Sequence, residues 1–169
     1  MAVKNGEQYH KIAGNPARAG GFLKKGAAGV LIGEYPCIVD VKGRLNFPAK
    51  LREDLGERFL LSKGLGDRCL CVYSLEEWER RRQKLSSLPS AEMYALQRYL
   101  FSSAAEVEPD KQGRIVIPQV LRDFIQVERD VMVVGADNRC EIWTKKDWEE
   151  TQQQLSPEYI RSLIQKAGF

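Results

Sequence analysis

The stretch that decides the fold is Val39-Asp40-Val41-Lys42-Gly43-Arg44-Leu45-Asn46-Phe47-Pro48-Ala49-Lys50-Leu51-Arg52-Glu53. It reads as the end of a strand, a tight turn, a second strand and a helix start. Asp40 can fold its carboxylate back onto the turn backbone, and Gly43 accepts a positive φ. Arg44-Leu45-Asn46-Phe47 alternates polar and apolar, as a half-buried strand does. Pro48 suits the first helical position, where its missing N–H is no loss.

Moving outward, the same grammar returns as Asp110-Lys111-Gln112-Gly113-Arg114-Ile115-Val116-Ile117-Pro118. At a constant offset of 70, Asp40, Gly43, Arg44, Pro48, Leu51 and Arg52 meet Asp110, Gly113, Arg114, Pro118, Leu121 and Arg122. Further on, Asp67, Val72, Tyr73, Ser74 and Trp78 meet Asp137, Ile142, Trp143, Thr144 and Trp148, with no gap required. Gly, Pro and Trp keeping register together indicate an internal duplication. The predicted units are a flexible basic leader over 1–30, a first repeat with connecting helices over 31–104, a second repeat over 105–155 and a terminal helix over 156–169.

Within the first unit, Leu51 and Leu55 share a helix face that Gly56 closes. Strands are predicted over 58–63 and 69–73, flanking a Gly64-Leu65-Gly66-Asp67 turn. Ser74-Leu75-Glu76-Glu77 has capping-box spacing for a helix that Pro89 and Ser90 end. A further helix carries Met93, Leu96 and Leu100 on one side. Ser156-Pro157 starts a last helix with Ile160, Leu163, Ile164 and Ala167 in one stripe.

Charge and cysteine content narrow the function. The formal net charge of +3 comes from residues 1–30, where five Lys/Arg stand against one acid, and the rest of the chain is near neutral. Any attraction to phosphate therefore rests on local clusters. No apolar run reaches the length of a membrane span, so a cytoplasmic location is expected. Cys69 and Cys71, two apart, point the same way on a strand and lack zinc-type spacing. With Cys37 and Cys140 they read as buried strand cysteines, and no cofactor or metal is expected; the one histidine, His10, lies in the leader.

A unit of about fifty residues buries little alone, whereas two copies can pair strands across a pseudo-twofold axis. The two Asp-x-x-Gly-Arg turns then become symmetry mates. A single such turn is explained by hairpin geometry, with Asp40, Gly43, Asp110 and Gly113 as turn residues. Arginine is not: Arg44 and Arg114 have no backbone duty, and their recurrence makes them the functional candidates.

These residues resemble a known family. Gly33-Glu34-Tyr35, the doubled Asp-x-x-Gly-Arg-x-x-x-Pro-x-x-Leu-Arg motif, and Val134-Gly135 ahead of Glu141-Ile142-Trp143 are similar to MraZ, within the wider AbrB-like group, over about residues 31–165. The resemblance implies an α+β, mainly β fold: a double-split, swapped-hairpin β-barrel made by two tandem repeats with flanking helices. It implies a DNA-binding transcriptional regulator of the bacterial division and cell-wall gene cluster. Such a regulator would assemble into homo-oligomeric rings on repeated promoter boxes and associate with the nucleoid. The motif Asp and Arg fall on Asp40, Arg44, Asp110 and Arg114; the leader has no counterpart in the family pattern.

In the expected mechanism, hairpin arms bring Arg44 and Arg114 to guanines in the major groove of double-stranded DNA. Lys42 and Lys111, with Arg52 and Arg122, meet phosphates, although Arg52 and Arg122 could instead pair with Glu53, Asp123 or a turn aspartate. Two alternatives stand beside it: a ring-forming interaction protein without DNA, and an enzyme using Asp40 and Asp110 as a carboxylate pair. The second is disfavoured, because basic neighbours keep both carboxylates ionised and no small-molecule site is legible.

Overall fold

The computed structural model describes residues 29–87 and 91–168. Most of the leader, with His10, and the Pro89-Ser90 helix break lie outside them. The first repeat supplies β1 (Glu34–Ile38), β2 (Arg44–Asn46), α1 (Ala49–Leu55), β3 (Phe59–Lys63), β4 (Leu70–Ser74) and α2 (Leu75–Ser86). After α3 (Ala91–Phe101) the pattern recurs as β5 (Ala105–Val107), β6 (Arg114–Val116), α4 (Gln119–Ile125), β7 (Asp130–Gly135), β8 (Cys140–Thr144) and α5 (Lys145–Gln154), followed by α6 (Pro157–Ala167).

The strands form one six-stranded antiparallel sheet in the order β1-β7-β8-β4-β3-β5 and a separate two-stranded ribbon, β2-β6. Each repeat keeps its own β3-β4 or β7-β8 hairpin but gives its first strand away. β1 pairs with β7 of the second repeat, and β5 pairs with β3 of the first. The fold is thus α+β with exchanged strands. The expected double-split, swapped-hairpin barrel is seen only as far as these exchanged strands: the large sheet is not closed, and β1 and β5 are its two edges.

The quoted stretch is also not the hairpin its sequence suggests. One bridge, Val39 to Leu45, closes the Asp40 turn, and then the two strands part company. β1 runs into the large sheet while β2 crosses to β6. A three-residue strand cannot hold itself by local pairing, so a partner seventy positions away completes it.

The duplication is real but not gapless. β4-β8 pairs Leu70 with Ile142 and Val72 with Cys140, a register that keeps the offset of 70. In β3 and β7, however, Phe59 and Leu61 occupy the buried places of Val131 and Val133, an offset of 72. Two residues inserted after α4 are removed again from the β7-β8 turn. A shift of two preserves which side chains face the core, whereas a shift of one would invert the strand.

The main core takes Leu45, Phe47, Leu51, Leu55, Phe59 and Leu61 from the first repeat, and Ile115, Ile117, Leu121, Ile125, Val131 and Val133 from the second. The opposite face of the sheet gathers Cys69, Cys71, Tyr73, Val134 and Trp143, with Trp78 and Trp148 packed against them. Here the repeats stay equivalent: Tyr73 meets Trp78 and Trp143 meets Trp148, both at ring-centroid distances of 5.8 Å. Ser74 and Thr144 cap α2 and α5 by accepting from Glu77 N and Asp147 N. Cys37, Cys69, Cys71 and Cys140 are free thiols. Pro48 and Pro118 prove to be N-caps, one place before the first helical residue rather than at it, with extended ψ of 126° and 146°. Among the described residues, no helix is long and apolar enough to cross a membrane.

Candidate nucleic-acid interface

The two motif turns are built alike. Asp40 Oδ1 accepts the backbone N–H of Lys42 and of Arg44, each at 2.9 Å, while Gly43 N–H closes the turn on Asp40 O. Asp110 Oδ1 accepts from Gln112 and Arg114 at the same distances. Gly43 and Gly113 sit at φ +76° and +78°, where a side chain would be strained. The pattern of buried and exposed residues over 41–50 recurs position for position over 111–120.

Each arginine is then held by its own turn. Arg44 Nε donates to Asp40 Oδ2 at 2.6 Å. Arg114 Nε and Nη2 reach Asp110 Oδ2 at 2.8 and 2.7 Å. The backbone N–H of each arginine is the leading reason the neighbouring carboxyl titrates below its ordinary range, and the guanidinium hydrogen bond adds to it. Both aspartates therefore remain ionised near neutrality, the opposite of what a general acid needs.

Pairing of β2 with β6 sets the two arginines side by side. Arg44 lies opposite Val116, Leu45 opposite Ile115, and Asn46 opposite Arg114. Leu45 and Ile115 point into the core, so Arg44, Asn46, Arg114 and Val116 form one outward face. Diagonal positions in such a ribbon are roughly 7–8 Å apart. Both arginine side chains are 36% exposed and line one shallow depression of about 320 Å³, whose lining also includes Glu106 and Glu108. They are neither buried nor divergent.

Lys42 and Lys111 stand exposed at the turn tips beside this face. Arg52 and Arg122 behave differently. Neither forms an ion pair with Glu53, Asp123 or a turn aspartate; Asp123 accepts from Gln119 instead. Arg52 Nε donates to Phe47 O at 3.0 Å, and its guanidinium covers Gly113 of the other repeat. A Cβ on Gly113 would stand 2.6 Å from Arg52 Nη2, and one on Gly43 would stand 2.7 Å from Arg122 Cζ. α1 and α4 are thus each clasped to the turn of the opposite repeat, a role that sequence spacing did not suggest. Asn46, exposed on the ribbon, is a further candidate that emerges only from the strand pairing.

The chain also matches known proteins over most of its length. The family model described as "MraZ protein, putative antitoxin-like" matches twice, over residues 30–96 and 100–163, and the two matches begin seventy residues apart. A protein named transcriptional regulator MraZ from Acetivibrio thermocellus is 53% identical over 141 residues, covering 81% of this chain and 98% of its own length. Its namesake in Caldicellulosiruptor saccharolyticus is 46% identical over 144 residues, covering 83% of this chain and its own full length. That of Heliobacterium modesticaldum is 48% identical over 132 residues, covering 77% and 92%.

Proposed function

This chain belongs to the MraZ family, and from that membership we propose that it is a sequence-specific transcriptional regulator that reads double-stranded promoter DNA with the outward face of the β2-β6 ribbon. The observation that carries the reading is the shared placement of Arg44 and Arg114 on that face. A major groove admits a two-stranded ribbon, and arginine is the side chain best matched to guanine O6 and N7. Asp40 holds Arg44 through Nε and Asp110 holds Arg114 along its Nε–Nη2 edge, so the opposite, Nη1–Nη2 edge of each guanidinium is the one turned to paired hydrogen bonds. Holding the side chain before DNA arrives lowers the ordering cost of binding.

Lys42 and Lys111 flank the face and suit phosphate contacts that set register without reading sequence. Arg52 and Arg122 support the turns from behind, and their outer N–H groups are the remaining phosphate candidates. The carboxylates of Glu106 and Glu108 beside the ribbon oppose loose attraction to any polyanion, so affinity rests on fitted contacts and on repetition. α6 favours the latter. It leaves Tyr159, Ile160, Leu163 and Ile164 between 36 and 50% exposed and buries no residue. Such a face suits assembly of identical subunits, whose combined grip on successive boxes exceeds that of one. A cytoplasmic, nucleoid-associated protein acting on the division and cell-wall gene cluster, its own operon included, fits these properties.

A gel shift with the DNA upstream of the chain's own gene tests the reading. Wild type retards the fragment, and the Arg44→Ala/Arg114→Ala double variant, folded by circular dichroism, does not. Equal retardation by both would refute it.

A further inference from the structure

The ribbon is symmetric in its arginines but not in the two positions between them. Exchange of the repeats carries Arg44 onto Arg114 and Asn46 onto Val116, and the register of β2 on β6 respects that exchange about the Leu45-Ile115 pair. Arginines alone would therefore meet a dyad-related pair of bases equally well in either orientation. We propose that Asn46 and Val116 break this equivalence and fix which way round one subunit sits on its box. Asn46 would bond to an adenine on one side, and Val116 would contact a thymine methyl group on the other. The inference rests on the ribbon being the DNA-reading face.

Three observations carry it. Asn46 is exposed, and its amide has no hydrogen-bond partner among the described residues. Asparagine is depleted in strands, so an unpartnered one contributes nothing to this sheet, whereas its donor and acceptor match adenine N7 and N6. Val116 is 55% exposed beside Arg44, placing an aliphatic surface where a thymine C5-methyl would lie in the groove. The turn tips break symmetry in the same sense. Val41, 98% exposed, precedes Lys42 in one turn, while Lys111 precedes Gln112 in the other, so the two lysines stand one position out of step. A box read by this face has unlike halves.

Selection from randomised duplexes with the purified full chain tests the proposal, using wild type, Asn46→Val, Val116→Asn and Arg44→Ala/Arg114→Ala. Both single changes lie on the exposed face, and thermal melts confirm folding. Wild type is expected to select a box with unlike halves. Asn46→Val loses about tenfold discrimination at one base pair and binds a symmetrised box as well as the natural one. Val116→Asn gains about tenfold for a box with adenine in both halves. If the two single variants select the same bases as wild type at every position, the orientation proposal fails while the DNA-reading ribbon stands. If the double arginine variant keeps wild-type selectivity, or wild type selects nothing, the ribbon reading falls and the orientation proposal with it.

Discussion

At the residue scale each motif aspartate does two jobs at once. The carboxylate holds the turn through two backbone N–H groups and holds the guanidinium through a third bond. Its folded pKa is depressed, so this contribution is fully present above the ordinary value of 3.8 and fades as pH falls through the lower folded value. Carbon-detected NMR is expected to give Asp40 and Asp110 midpoints below 3.8, with the turn amides of Lys42 and Arg44 losing protection in the same acid range and unchanged from pH 5 to 8. Replacing Arg44 by alanine should weaken specific binding by about 1–3 kcal/mol and relax preference at one base pair. Titration calorimetry against matched and mismatched duplexes measures both. The Asp and Gly of each turn were legible in the sequence because their duties are local. Asn46 was not, since its neighbour across the ribbon is Arg114 and nothing near it in the chain announces that.

At the element scale the repeats are fastened by arginine on glycine. Gly113→Ala would force a positive φ on alanine and thrust a methyl group into Arg52. A loss of more than about 1 kcal/mol is expected from chemical denaturation, because the strain and the clash add. Adding Arg52→Ala relieves the clash but not the strain, so the double variant should recover part of the loss and no more. Helix starts, caps and the β3-β4 hairpin followed from local pattern, to within a residue or so for Pro48 and β4. Strand partnership did not. A strand's own residues specify which face is apolar, but not which edge it joins, so the exchange of β1 and β5 was visible only as a resemblance. The two-residue slip in β7 escaped for a related reason: Asp67 and Asp137 line up at the offset of the flanking elements, although they sit in turns of different length.

For the whole molecule, exchange makes neither half self-sufficient. A fragment covering residues 29–104 lacks the partners of β1 and β2. As a dilute monomer it should be unfolded by circular dichroism under conditions where the full chain is folded. The near-neutral body bears on binding in the same global way. With few phosphate contacts per subunit, the slope of log affinity on log salt for a single box should be shallow, roughly 2–4 in magnitude, and Lys42→Ala should reduce it by about one. Fluorescence anisotropy across a salt series reads both. The exchange also governs how the chain acquires its shape during synthesis. β1 leaves the ribosome early, yet the edge it must join, β7 at Asp130–Gly135, is translated almost a hundred residues later. The nascent first half must keep its earliest strand waiting, open to chaperones or to a neighbouring copy, until nearly the entire polypeptide has emerged.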